Sequence, residues 1–176
     1  MLRILLSLAL LVPVAAADTD FIYRDGEPLA GSHIRPIRLR SPLPYDKRYD
    51  QLDARERERL RANYREMPVN CEPPFPEAGL KPLLRELVRL QDQKGLDGQG
   101  SLSLLAQVDA KGEVASVAAL ESPSPELGAL GSVILFNTRF KPARCDGTPL
   151  AMDYLLEVEL VDLLSQGVSG RALTRR

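Results

Sequence analysis

The chain has 176 residues, a length typical of one domain with an appendage. Hydrophobic residues make up 44% and charged residues 27%, which is typical of a soluble globular protein. A net charge of -1, one His, two Cys and no Trp argue against a nucleic-acid partner, a zinc site of the usual His/Cys kind and a base-stacking surface.

Residues 1–17 have the layout of a secretory signal peptide. Arg3 gives a positive start, Ile4–Val14 is an apolar run, and Ala15–Ala17 supplies small residues before Asp18. The uncharged stretch is shorter than the about 20 residues that a membrane-spanning helix needs. We therefore expect an exported chain that begins at Asp18, with an uncleaved membrane anchor as the alternative.

Residues 18–50 are expected to form an extended, Pro-containing arm, because prolines recur there and no periodicity is sustained. The locally basic stretch 34–40 could touch an acidic partner or a membrane surface, but a solvated arm is the favoured interpretation. A charged helix is predicted within residues 51–71. Asp50 is its expected cap, the helix runs to about Glu66, and Pro68 ends it.

A second helix is predicted at about Leu80–Gln91, because its leucines form one apolar stripe. Ser101–Val108 alternates, a turn containing Gly112 follows, and Glu113–Leu120 returns as the second strand of a hairpin. Ser124 and Pro125 open a third helix. Leu150–Val161 then alternates as a strand with one wet face.

Strand, strand, helix and strand predict an α+β fold: a small antiparallel sheet in the β-β-α-β order, with a helix on one face and an extra N-terminal helix pair. Residues 164–176 are expected to be a disordered tail. The two cysteines of this chain, Cys71 and Cys145, are expected to form a disulfide, because an even count in an exported chain indicates a bridge.

The segment 72–163 resembles the C-terminal domain of TonB, the periplasmic energy transducer, and its paralogues. The resemblance rests on the order and spacing of short motifs that are common individually. They are Phe75-Pro76, the hairpin Val108–Val114, the break Glu121-Ser122-Pro123, the helix Leu127–Phe136, the junction Arg139–Ala143 and the turn Asp146–Pro149.

The resemblance implies a TonB-like fold and a periplasmic location. The fold motif would be carried by Phe75, Pro76, Gly112, Phe140, Pro142 and Gly147. In the family the last strand lies at a sheet edge and accepts an extended peptide by strand addition. The corresponding docking residues here would be Met152, Asp153, Tyr154, Leu155, Glu157 and Glu159.

We therefore expect a non-catalytic protein-interaction module that binds a protein or peptide of the cell envelope by edge-strand pairing. The alternative is a component of TonB-dependent energy transduction for outer-membrane transport. That alternative requires an uncleaved anchor, and membrane contact is expected only in that case. The cleavable-looking leader, the short arm and the extra helix at Leu80–Gln91 all depart from the transducer pattern.

The sequence contains neither a Gly-rich phosphate loop nor a Gly-x-Ser-x-Gly elbow. His33 is the sole imidazole and lies in the arm, where nothing would orient it for catalysis. Glu157 and Glu159 share one side of a strand, which is more typical of a solvated face than of acid–base chemistry. We expect no catalytic residue, metal or cofactor, although a secreted enzyme on a small scaffold remains an open alternative.

Intact-mass analysis of the exported protein tests leader cleavage and the disulfide together. We expect the mass of a chain that begins at Asp18, and a gain of two hydrogens after reduction, because one cystine becomes two thiols. A chain that retains residues 1–17, or one whose mass is unchanged by reductant, would contradict the corresponding expectation.

Overall fold

The computed structural model describes residues 21–24, 37–96 and 98–162 of the chain. Over these ranges, none of the helices combines the length and the apolar character that crossing a bilayer demands. The expected signal peptide, His33 and the expected tail at 164–176 lie outside the described residues. The fold of the described part is α+β, with helices and antiparallel sheets.

Three helices and ten strands are seen in the described part of the chain, together with a 3₁₀ turn at Tyr49–Gln51. The helices are α1 (Ala54–Ala62), α2 (Lys81–Lys94) and α3 (Pro125–Phe136). The strands are β1 (Phe21–Arg24), β2 (Ile37–Ser41), β3 (Cys71–Glu72), β4 (Phe75–Pro76), β5 (Gly100–Val108), β6 (Val114–Glu121), β7 (Phe140–Lys141), β8 (Ala143–Cys145), β9 (Thr148–Leu150) and β10 (Met152–Asp162).

The main sheet has five strands in the order β1-β2-β10-β5-β6, and every neighbouring pair is antiparallel. Two smaller sheets, β3-β8-β9 and β4-β7, lie beside it. The predicted strands β5, β6 and β10 are present in the main sheet. The expectation of a three-stranded sheet is wrong, because β1 and β2 extend it.

The two additional strands come from the expected arm, residues 18–50. Leu39 is fully buried in β2 next to the half-buried Arg40, and Leu43 and Tyr49 also join the core. The arm was expected to be solvated because its prolines suppress any long periodicity. One buried leucine between two arginines is too short an alternation to predict a strand.

The helix termini follow ordinary capping rules. Asp53, not Asp50, caps α1, because its carboxylate accepts hydrogen bonds from the backbone N–H groups of Arg55 and Glu56 at 2.8 and 2.9 Å. The Glu56 side chain bonds back to the Asp53 N–H and completes a capping box. Ser124 caps α3 as predicted, accepting from the Leu127 N–H.

Four aromatic rings form the centre of the core around Tyr154, whose side chain is 1% exposed. The Tyr154 ring lies edge-on to Phe140 at 5.1 Å and to Phe75 at 6.3 Å between centroids, and Phe75 in turn contacts Tyr49. Phe75 and Phe140 also lie on paired strands, since β4 pairs with β7. The aromatic pairs hold the junction after α3 against β10.

The expected disulfide joins Cys71 and Cys145. The two residues are directly opposite each other in the β3–β8 pair, with Cα atoms 4.1 Å apart. In the chain-entropy model, closing a loop of this length stabilises the fold by about 4 kcal/mol. The bridge therefore ties the segment after α1 to the turn that precedes β10.

The β5–β6 turn is set by Gly112, whose φ of +82° lies in the left-handed region. Its carbonyl accepts a hydrogen bond from the Phe140 N–H at 2.9 Å, and a Cβ at this position would overlap the Phe140 carbonyl. Glycine is therefore required both by conformation and by space. Gly147, with φ +77°, has the same conformation but open space around it.

Gly112→Ala and Gly147→Ala form a matched pair that separates these two requirements. We expect Gly147→Ala to lower the free energy of unfolding by about 1 kcal/mol, the strain of a left-handed alanine. Gly112→Ala should lower it by about 2 kcal/mol more, because the Phe140 backbone must also move. Urea unfolding of the oxidised protein measures both, and equal losses would contradict the close approach of the turn to Phe140.

Candidate functional site

The strand expected to dock a partner, β10, does not lie at an edge of the main sheet. Over Met152–Leu160 it pairs with β5, and over Glu159–Asp162 it pairs with β2 on its other side. The edge position is therefore wrong for the C-terminal part of β10. Strand β2, which comes from the expected arm at residues 18–50, pairs with this part of β10.

The N-terminal part of β10 is contacted by the segment after α1. The Tyr64 hydroxyl donates a hydrogen bond of 2.7 Å to the Asp153 carbonyl, so a backbone acceptor of β10 is already engaged there. Burial of the ring raises the pKa of Tyr64, with a smaller contribution from the nearby Asp153 carboxylate. A peptide that sought to pair with β10 at this point would first have to displace Tyr64.

The six residues predicted to dock on β10 divide between two faces. Tyr154 lies in the core and cannot contact a partner, and Met152 and Leu155 are half-buried. Asp153, Glu157 and Glu159 are exposed on the open face of the sheet, where Arg40 forms an ion pair with Glu159 at 3.6 Å. In the part of the chain that the structure describes, no three acidic, His or Cys side chains are grouped to hold a metal ion.

The main sheet ends at β1 on one side and at β6 on the other, and β6 is the edge that flanks β5. Most of its residues are exposed, with Leu120 at 60%, and the stretch Val114–Leu120 contains no charged side chain. Register shifts against β5 leave Ala115 and Leu120 without a direct partner, so the regular stretch is Ser116–Ala119. Such bulges shorten a pairing edge but do not close it.

Helix α3 packs on β6 and β5. Gly131 makes the close approach possible, because a Cβ there would lie 2.9 Å from the Leu104 side chain. From Leu127 to Phe136 the helix has no charged residue, which is typical of a helix buried on all sides. Nevertheless Val133 and Phe136 are 61% and 51% exposed.

Val114–Leu120 of β6, together with Val133 and Phe136 of α3, is called the β6–α3 surface below. Among the described residues, four large hydrophobic side chains are notably exposed, and three of them belong to it: Leu120, Val133 and Phe136. Exposed apolar side chains on two neighbouring elements make this part of the molecule a candidate interaction surface. Sequence reasoning missed this surface. The signal was the absence of charge from Val114–Leu120 and from Leu127–Phe136 in a chain with 27% charged residues.

A groove of about 670 Å³ lies between α2 and α3, on the other side of Val133. Its lining is mainly apolar, with Pro82, Leu83 and Ile134 among its walls. Charged side chains at its rim are held in ion pairs, such as Arg139 with Glu113 at 2.7 Å. The groove extends the apolar character of α3 toward α2.

The groups with shifted pKa values have structural partners. Hydrogen bonding from the Glu56 N–H lowers the pKa of the Asp53 cap, and hydrogen bonding from the Glu113 N–H lowers that of Asp109 in the β5–β6 turn. The Arg89 guanidinium lowers the pKa of Glu86 on the neighbouring helical turn. These shifts stabilise caps, turns and helix faces.

The fold-motif residues are also accounted for by structure. Phe75, Pro76 and Phe140 are buried in the β4–β7 pair, and Pro142, which follows β7, is half-buried.

No protein-family model, curated protein or solved structure matches this chain at a significant level. The likeness to TonB therefore stays a prediction from the sequence motifs.

Tyr64→Phe tests the contact that occupies β10. At neutral pH we expect the free energy of unfolding to fall by about 1 kcal/mol, because the Asp153 carbonyl loses its donor. The folded protein keeps the Tyr64 proton above pH 10, where the unfolded chain releases it, so wild-type stability falls as the pH rises past 10.

The Tyr64→Phe variant has no hydroxyl at this position and therefore does not titrate there. Its stability should therefore decline less steeply above pH 10, by up to about 1.4 kcal/mol per pH unit. Urea unfolding at pH 7 and at a series of alkaline pH values measures both effects, and burial raises the pKa of Tyr154 in both proteins. Parallel stability curves for wild type and variant would contradict the raised pKa of Tyr64.

Proposed function

We propose that this chain is a non-catalytic protein-interaction module of the periplasm that binds a protein segment along the β6–α3 surface. The observation that carries the proposal is the β6 edge of the five-stranded sheet, where Ala115–Leu120 is uncharged and mostly exposed beside α3, whose Phe136 is also exposed. The mode of binding is strand addition, as expected from the sequence, but on β6 instead of β10.

Strand addition suits β6 for a physical reason. An edge strand presents backbone N–H and C=O groups that a second extended chain can satisfy, and natural proteins usually protect such an edge with charged residues or proline. Val114–Leu120 has neither. The apolar side chains of Val133 and Phe136 lie on the helix above and would add contact area to the few hydrogen bonds of the short edge.

The TonB-like arrangement is part of the same proposal. The hairpin β5–β6, helix α3 and strand β10 follow one another in the order that the TonB C-terminal domain would give, and the Gly112 turn contacts Phe140 of the junction. On this interpretation β1, β2, α1 and α2 are additions to that core. Strand β2 and the segment after α1 both contact β10, the strand that would otherwise accept the peptide.

A periplasmic location is supported by the leader pattern of residues 1–17 and by the Cys71–Cys145 bridge, which suits an oxidising compartment. The non-catalytic role is supported by the engagement of polar groups in structure. Asp53 and Asp109 accept backbone N–H donors, Glu113 pairs with Arg139, and Tyr64 donates to a backbone carbonyl.

A photoreactive amino acid placed at Ala118, and separately at Leu155, tests which strand contacts a partner. The two positions lie in one row of the sheet, because Leu105 faces Ala118 on one side and Leu155 on the other. Ala118 lies on the edge strand β6, whereas Leu155 lies on β10, two strands away from that edge. We expect protein adducts in cells from Ala118, and from a third probe at Phe136, but few from Leu155.

Adducts from Leu155 without adducts from Ala118 would contradict the assignment to β6. Adducts from none of the three positions would contradict the interaction function at this surface. Thermal unfolding of each probe-bearing protein serves as the control for correct folding.

A further inference from the structure

We propose that the segment bound by the β6–α3 surface is β6 of a second copy of this chain, so that two molecules form a two-fold symmetric dimer with one continuous sheet. The inference rests on the proposed function, since it uses the same surface, and it names the partner. It is carried by the charge pattern of β6 and by the position of α3 above the sheet edge.

The charge pattern of β6 is compatible with self-pairing. In an antiparallel pair about a two-fold axis perpendicular to the sheet, one central residue faces its own copy. Val117 or Ala118 can be central, because the regular stretch is Ser116–Ala119. With Val117 central, Glu113 would face Glu121, a like-charge pair. With Ala118 central, Glu121 faces Ala115, and no charged residues are opposed across the pair.

The position of α3 also fits a second copy. The helix packs on both β6 and β5, so its axis lies above the space between them. Paired strands are about 4.8 Å apart, so two such helices, one on each copy, would be roughly 10 Å apart across the joined edges. That spacing is close to the 8–10 Å at which helices pack.

A second copy covers more of the exposed apolar surface than a peptide would. An extended peptide can pair with only the short regular stretch of β6, and it brings no helix to lie beside α3. In the dimer each copy brings its α3 to the same side of the joined sheet. The second copy thus provides an apolar helix next to α3, which an extended peptide does not.

The experiment is sedimentation velocity over a range of concentrations, on the chain purified with its disulfide intact. We expect a monomer–dimer equilibrium. Ala118→Lys should weaken dimerisation about tenfold or more, because two lysines would meet at the two-fold axis, and Ala118→Glu should do the same. Mixing the two variants should restore a dimer, because lysine then faces glutamate.

Two further variants test whether the loss of dimerisation is specific to the β6–α3 surface. Ser101→Lys places the same charge on the open face of β5, away from the edge, and should leave dimerisation unchanged. Phe136→Lys should weaken it through α3 without altering β6, and covers the case in which the Ala118 variants do not fold. Circular dichroism and thermal unfolding identify variants that are not folded.

A wild-type chain that remains monomeric up to its solubility limit overturns the dimer. So does a dimer that is unaffected by charges at positions 118 and 136. If the monomer nevertheless forms adducts with a different protein from Ala118, the proposed function stands and only the second copy is rejected. If Ala118 and Phe136 give no adducts and the chain is monomeric, both proposals fail.

Discussion

The packing of Tyr154 against Phe75 and Phe140 determines how the other parts of the molecule are arranged. The three rings come from β10, β4 and β7, which are distant in the chain. Because Tyr154 is fully buried, β10 must present its even-numbered residues to the core and its acidic residues to the open face. The junction after α3 is held in turn by the hydrogen bond between Phe140 and Gly112. One face of β10 is therefore part of the hydrophobic core.

The N-terminal part of the chain completes that interior. Arg61 of α1 donates to the carbonyls of Met67, Pro68 and Cys71, which fixes the segment between the helix and the disulfide. Lys47 forms an ion pair of 2.6 Å with the nearly buried Glu56, which anchors the stretch before α1. These contacts bring added segments to one side of β10 and leave β6 as the exposed edge on the opposite side of the main sheet. The location of the docking surface thus follows from what surrounds β10.

Much of the fold could be predicted from local patterns. The β5–β6 hairpin, the Ser124 cap, the α3 helix and the alternation in β10 depend on residues close together in the chain, and turn chemistry and periodicity report them directly. The disulfide was predictable because only one pairing of two cysteines exists. Strand order was not predictable, since it depends on which distant segment pairs with β10, and nothing in the R-L-R pattern around Leu39 specifies that partner. The strands that flank β10 were not predictable for the same reason: alternation shows the two faces of a strand but not its neighbours.

The pairing of β2 with β10 joins two of the most distant segments of the described chain, residues 37–40 and 159–162. A contact of such long sequence separation forms late and slowly, because the intervening chain must be closed into a loop before it is stabilised. The five-stranded sheet therefore cannot be completed while β10 is still missing, for example during synthesis. The β5–β6 hairpin depends on residues close together in the chain, whereas the N-terminal strands join the sheet only once β10 is available to bridge them to β5.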